Sequence, residues 1–231
     1  MAGRSRARAY LLLARISNLP TVWTNVLAAY VVAGAARESL PVAAIAASLF
    51  YTGGMFLNDA FDARFDAAAR ADRPIPAGDA TRAEAFTVGI LLLIAAQSLL
   101  WFLPHGAAAS GWGLALIAAI VFYDFRHKGH AFGPVVMGAC RALVYVMAAA
   151  GAAGVVGTAV IVAASVMWIY VIALTWVAKT AGLGYAVPVM LAGICLIDAV
   201  LIATTGATGL ALIAALGFGL TLALQKVVPG T

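Results

Sequence analysis

Apolar stretches of about 17 to 25 residues follow one another along almost the whole chain, each long enough to cross a bilayer core as a helix. They fall near residues 17–36, 40–57, 84–103, 108–123, 133–154, 157–178, 183–204 and 208–225. Hydrocarbon offers no water to backbone N–H and C=O groups, so segments of this kind satisfy themselves as helices. The expected fold is therefore an all-α polytopic membrane bundle of about eight transmembrane helices. Composition agrees: of 231 residues, 65% are hydrophobic and only 10% charged, with a mean hydropathy of +1.03. The spans leave short connections and one longer loop, Asp59–Arg82, so residues 1–231 are expected to form a single integral membrane domain with no separate soluble part. The apolar run after Arg4, Arg6 and Arg8 reaches Arg15 too soon, and lacks the cleavage site, for a removable signal peptide. Cys140 and Cys195 lie inside predicted spans, where thiols behave as small hydrophobes rather than as a disulfide framework.

Of the 14 Lys and Arg residues, all but Arg37 and Arg141 fall on the N-terminal arm, on alternate connections or on the tail. By the positive-inside rule this puts both termini and the loop after residue 58 on the cytoplasmic side of an inner or plasma membrane. Trp101 and Trp112 flank the opposite loop at Pro104-His105, as interfacial anchors do. The net charge of +5 is mostly this topology signal, with a contribution from contact with anionic lipid. No basic soluble face with interleaved aromatics points to nucleic acid.

One junction carries chemistry. The apolar run Leu49–Leu57 leads directly into Asn58-Asp59-Ala60-Phe61-Asp62-Ala63-Arg64-Phe65-Asp66. On a helix, Asn58, Asp62 and Asp66 stand at i, i+4 and i+8, so their oxygens line one stripe. Stacked carboxylates repel, and the arrangement becomes favourable against a hard divalent cation such as magnesium, which takes oxygen ligands and completes its shell with substrate phosphates. Arg73-Pro74-Ile75-Pro76-Ala77-Gly78 is a stiff, non-helical stretch able to fold back over that stripe, and Thr81 with Glu84 fits a capping box.

The connection Tyr123-Asp124-Phe125-Arg126-His127-Lys128 places cations at the same membrane face, where they serve topology or hold a phosphate. Arg141 lies within an apolar segment, and burying a guanidinium in a bilayer costs at least ~2.5 kcal/mol, so it faces a polar cavity or snorkels to the surface. Asp198 poses the same question: it pairs with a cation or stays protonated. No phosphate-binding Gly-Lys-Ser/Thr loop, zinc spacing or serine nucleophile elbow is present, which leaves metal-assisted handling of a phosphorylated lipid.

These residues resemble a known family. Asn58-Asp59-x-x-Asp62-x-x-x-Asp66 followed by Arg73-Pro74-Ile75-Pro76-x-Gly78 is similar to the signature of UbiA-type intramembrane prenyltransferases. The likeness extends upstream to Arg15-Ile16-Ser17-Asn18-Leu19-Pro20 with Trp23. Downstream it reaches Gly133-Pro134-x-x-Met137-Gly138-x-Cys140-Arg141, which most resembles the UbiA-like branch of Ebo-type clusters. The resemblance implies a helical fold around a central cavity open sideways to a long isoprenoid tail. It also implies Mg2+-dependent transfer of a prenyl group from a prenyl diphosphate to an aromatic or other small, hydrophobic acceptor. Asn58, Asp59, Asp62 and Asp66 would hold the metal, Asp59 in a supporting part. Asp62, Asp66 and Arg141 would be catalytic, and Arg15, Arg73, Tyr123, Lys128 and Lys179 would contact the diphosphate.

Three departures stand beside the likeness. Members typically carry a second Asp-rich motif after the sixth span, where this chain has Thr175 and Lys179. The usual Tyr-x-x-x-Lys is displaced, since Tyr123 plus four is His127 and the lysine follows at Lys128. A ninth span, usual in the family, is missing or reduced to the tail Val227–Thr231. The missing acids leave three readings: one metal instead of two, a lysine standing in for the second, or a non-catalytic protein that binds or transports prenyl lipids. A CDP-alcohol phosphotransferase would need Asp-Gly-x-x-Ala-Arg, which Asp62-Ala63-Arg64 does not supply.

Overall fold

The computed structural model describes residues 5–126, 132–180 and 183–230, without the side chain of Arg126. Among the described residues the regular structure is entirely helical. The nine α-helices are α1 (Arg6–Ala14), α2 (Leu19–Val32), α3 (Leu40–Ala69), α4 (Arg82–Leu99), α5 (Gly106–Arg126), α6 (Gly133–Ala153), α7 (Thr158–Lys179), α8 (Val187–Ala203) and α9 (Thr208–Gln225). Seven of them, α3 to α9, are long and apolar enough to cross a membrane, which makes the chain an integral membrane protein. Pro20, Pro41, Pro134 and Pro188 each sit in the first turn of a helix, where an absent N–H leaves no intrahelical bond unmade.

The first expected span differs most. Instead of one helix from residue 17, the chain breaks at Arg15, whose φ of 45° is left-handed, then makes a 3₁₀ turn at Ile16–Asn18 before α2 starts. Pro20 is the physical reason for a fresh start, because it cannot donate into a continuing helix. The break leaves α2 only 14 residues long. It nevertheless lies at the centre, packed against α3, α6, α8 and α9.

The second span differs in the opposite sense. The helix does not stop where the apolar run ends at Leu57 but continues through the acids to Ala69, 30 residues in all. Its length carries Asn58, Asp59, Asp62 and Asp66 on rigid backbone. Beyond it, the loop turns tightly: Asp79 and Ala80 N–H both donate to the Pro74 carbonyl, and Gly78 takes φ +79°, which a glycine adopts without strain. Ile75 then packs against a small cluster made of Leu13, Phe56, Ala80 and Ala85, so α1 and the loop seat together on α3 and α4. The Thr81–Glu84 capping box starts α4 as expected, and the Arg82 Nε donates to the Ala60 carbonyl at 2.8 Å.

Small residues let the helices approach where no hydrophobic drive separates lipid from protein. One example is α3 on α4: a Cβ built on Gly53 would stand 3.0 Å from the Gly89 carbonyl oxygen, and one on Gly89 would stand 2.8 Å from Leu57 Cγ. Gly89→Val is therefore expected to overpack this contact by about 1–3 kcal/mol or more. Thermal unfolding of purified protein in detergent checks this, the variant melting well below the parent.

Candidate active site

The C-terminal ends of α3, α5 and α7 and the N-terminal end of α6 meet around a cavity of about 850 Å³. Its walls are apolar, with Val22, Phe50, Leu116, Ile120, Val144, Val171 and Ile194 among the lining residues. Its mouth is polar and is lined by Arg15, Asn58, Asp62, Arg70, Arg73, Tyr123, Asp124 and Lys179. An apolar sac with a charged rim suits an amphiphile whose head is anionic and whose tail is hydrocarbon.

The acidic residues of α3 divide into two groups. Asp59 accepts from Arg15 and from Arg73, both at 2.9 Å, and Asp66 accepts from Arg70 at 2.8 Å with Arg73 at 3.7 Å. Neither Asp59 nor Asp66 lines the cavity, whereas Asn58 and Asp62 do. The stripe expected at i, i+4 and i+8 is present on the helix, but its far end, Asp66, is only 1% exposed beneath arginines. Asp59, expected in a supporting part, holds two cations in place. Asn58 Nδ2 donates to Asp124 Oδ1 at 3.1 Å, and its Oδ1 accepts a long bond of 3.4 Å from Arg15.

The arginines owe their positions to chain breaks. The left-handed turn at Arg15 ends α1 and aims the guanidinium at α3, while the Pro74 turns bring Arg73 back over the same helix end. Burial, with Arg15 and Arg70 close by, lowers the Arg73 pKa from its usual value against the opposing pull of Asp59 and Asp66. For Arg15 burial works the same way but is outweighed by Asp59, Tyr51 and Tyr123, and the pKa is raised. Both remain cations at any working pH.

Lys179, in the last turn of α7, reaches the mouth from the opposite side, one turn beyond the buried, cavity-lining Thr175. Tyr123 lines the mouth from α5. Lys128 lies outside the described residues. Arg141 does not snorkel: it is 9% exposed, donates from Nη1 to Asn25 Oδ1 at 2.9 Å and from Nη2 to Thr21 Oγ1 at 3.0 Å, and lines the cavity. Asp198, fully buried, accepts from both Asn25 and Tyr145 rather than from a cation.

Sequence reasoning passed over Asp124, read only as a neighbour of cations, and Asn18, Thr21, Asn25, Tyr51 and Tyr145. The usable signal was an amide inside an apolar span, since Asn25 is as costly there as the residues that drew notice.

Among the described residues, no three His, Cys, Asp or Glu side chains converge as a ready-made metal cluster. Magnesium does not require one, because it is bound through one or two carboxylates, keeps waters and takes phosphate oxygens. Asn58 and Asp62, one turn apart on α3 and both open to the cavity, fit that donor set. Asp59→Ala should leave Arg15 buried without its carboxylate and Arg73 with only Asp66 at 3.7 Å, and cost about 3 kcal/mol or more. Melting curves of Asp59→Ala and the parent, compared side by side, check the loss.

Comparison with known proteins bears on the reading. The model of the UbiA prenyltransferase family matches residues 17–228. A digeranylgeranylglyceryl phosphate synthase from Ignicoccus hospitalis is 31% identical over 123 residues, which are 53% of this chain and 40% of that protein. Another from Methanopyrus kandleri is 42% identical over 72 residues, 31% of this chain and 27% of that one. The matched stretches thus span less than half of these relatives. In structure, the chain resembles a digeranylgeranylglyceryl phosphate synthase with a TM-score of 0.61 at 15% identity, covering 96% of this chain and 98% of the other. It also resembles a UbiA homologue from Archaeoglobus fulgidus bound to DMAPP and Mg2+, with a TM-score of 0.59 at 14% identity, covering 94% and 86%. At such identities the two structures establish the shared fold.

Proposed function

Because the chain belongs to the UbiA prenyltransferase family, we propose that it transfers a prenyl group from a prenyl diphosphate to a small or hydrophobic acceptor inside the membrane, with Mg2+ as cofactor. The observation that carries this reading is the pairing of an apolar cavity with a rim that presents Asn58 and Asp62 beside Arg15, Arg70, Arg73 and Lys179. Two named synthases among its relatives, and a homologue bound to DMAPP and Mg2+, support prenyl transfer as the class of reaction. Within the family we assign the chain to the Ebo-type branch on the residues Gly133–Arg141 alone. The basic bias puts the mouth and both termini at the cytoplasmic face.

Each part of the site then has a task. Asn58 and Asp62 would hold the metal, which when bound would supply positive charge for the oxygens of the departing diphosphate. Asp59 and Asp66 fix Arg15, Arg70 and Arg73 so that their remaining N–H donors meet the same oxygens without reorganisation. Lys179 and Tyr123 approach the head from the α7 and α5 sides, and Lys128 is a further candidate for diphosphate contact by sequence alone. As the allylic carbon–oxygen bond breaks, pyrophosphate carries away the bonding pair, the acceptor supplies the pair for the new bond, and the proton the acceptor loses passes to the departing pyrophosphate or to water at the mouth. The apolar walls keep water from the allylic cation meanwhile. Each tail methylene buried there contributes about 0.8 kcal/mol to holding the donor.

With purified protein, Mg2+, a prenyl diphosphate and a matching acceptor, pyrophosphate release is expected to stop on chelation with EDTA and to return when Mg2+ is restored. Asp62→Ala should lower turnover by about a hundredfold or more, the scale of losing charge stabilisation in the transition state. Lys179→Ala should chiefly raise the KM for the diphosphate. Full turnover in Asp62→Ala would refute the role given to α3.

A further inference from the structure

Asp124, near the end of α5, is buried and lines the same rim as Asn58 and Asp62. It stands against α3 because the two helices close on each other one turn earlier. A Cβ built on Gly54 would lie 3.2 Å from Ile120 Cγ2, so the absence of a side chain on α3 at that point is what lets α5 come near. Gly54 precedes Asn58 by one turn and Ile120 precedes Asp124 by one turn, so the same contact delivers Asn58 and Asp124 to each other. Asn58 Nδ2 donates to Asp124 Oδ1 at 3.1 Å. On the next residues Phe61 and Phe125 meet edge-on, their ring centres 6.4 Å apart. Packing on both sides of the hydrogen bond thus fixes where the Asp124 carboxylate stands.

The supply of carboxylates at the cavity is closed. All nine Asp and Glu residues are among the described residues, and of these only Asp62 and Asp124 line the cavity. Asp59 and Asp66 hold arginines, Glu84 caps α4, and Asp198 accepts from Asn25 and Tyr145. The rest of the charged rim is Arg15, Arg70, Arg73 and Lys179. Two buried carboxylates at one rim repel each other, and a divalent charge beside them offsets that cost. Magnesium is held through one or two carboxylates, with waters and substrate phosphates filling its shell. Asp62 and Asp124 therefore suffice for one ion, whereas a second would sit among guanidinium and ammonium groups with no acid to hold it.

We propose that Asp124 is a metal ligand contributed by α5, and that with Asp62 and Asn58 it holds a single Mg2+ per chain. This rests on the prenyl-transfer reading and specifies the second carboxylate and the metal count of its site.

The test is titration of the full chain in phosphatidylcholine nanodiscs with Mn2+, read from the free-ion electron paramagnetic resonance signal against empty nanodiscs. Each titration is run with and without a non-reactive geranylgeranyl thiolodiphosphate, and excess Mg2+ shows which ions it displaces. The parent should hold one displaceable ion per chain. Asp124→Asn keeps the shape and the acceptor for Asn58 while removing the charge, and should weaken that ion about tenfold or more. Without metal the same variant should bind the thiolodiphosphate as well as the parent or better, because a carboxylate repels the anion, and with metal it should bind it less well. Two displaceable ions per chain in the parent, or none in either series, overturns the proposal even if the variant fails to fold. So does unchanged ion affinity in a folded Asp124→Asn, or a loss of thiolodiphosphate affinity that is the same with and without metal, as a merely structural role would give. Failure of the parent to bind the thiolodiphosphate refutes prenyl transfer instead, and the donor-free series still reads Asp124.

Discussion

The ion pairs that Asp59 and Asp66 make with Arg15 and Arg73 tie two chain segments, the break after α1 and the loop after α3, to the end of one helix, where Arg70 pairs with Asp66 one turn away. Arg15 and Arg73 come from places where the helical path is broken or has ended, so neither would be held there by local structure alone, whereas Arg70 is placed by its own helix end. Buried carboxylates supply the fixed points. Asp59 and Asp66 are thereby committed to holding cations, and the cavity-facing oxygens reduce to Asn58 and Asp62 on α3, with Asp124 across from them on α5. The rim that results is cationic overall yet retains oxygens for a hard metal, which is the charge balance a diphosphate with magnesium requires.

The same arrangement recurs deeper in the membrane with a different outcome. There an acid, Asp198, is held by Asn25 and Tyr145, and the cation, Arg141, is held by Asn25 and Thr21. Acid and guanidinium share one amide instead of touching. Polar groups this far inside an apolar bundle are costly unless satisfied, so the network both locks α2 between α6 and α8 and leaves one charge turned to the cavity. The short, central α2 is what brings these partners together.

Much of this was legible in the chain. Runs of apolar residues gave the spans to within a few residues for α4 to α9, because in hydrocarbon the only solution for a single segment is a helix. The register of Asn58, Asp62 and Asp66 gave the acid-bearing face of α3. The break at Arg15 was not legible, since Pro20 signals a helix start but not the left-handed turn five residues earlier. Nor was the division among the acids, because spacing along one helix says nothing about which carboxylates meet arginines from elsewhere. Asp124 and Asn25 escaped for the same reason: their importance lies in contacts to residues more than sixty positions away.

The central claim is that Asn58 and Asp62, and not Asp59 or Asp66, face the metal that bridges to a prenyl diphosphate. A crystal of the protein with Mn2+ and a prenyl thiolodiphosphate tests this through the anomalous signal of the metal. The account predicts a peak at the cavity mouth between Asp62, Asn58 and the diphosphate oxygens, with the Asp59 and Asp66 ion pairs intact. A peak bound to Asp59 or Asp66 with those arginines displaced, or a diphosphate held by arginines with no metal beside it, would contradict it.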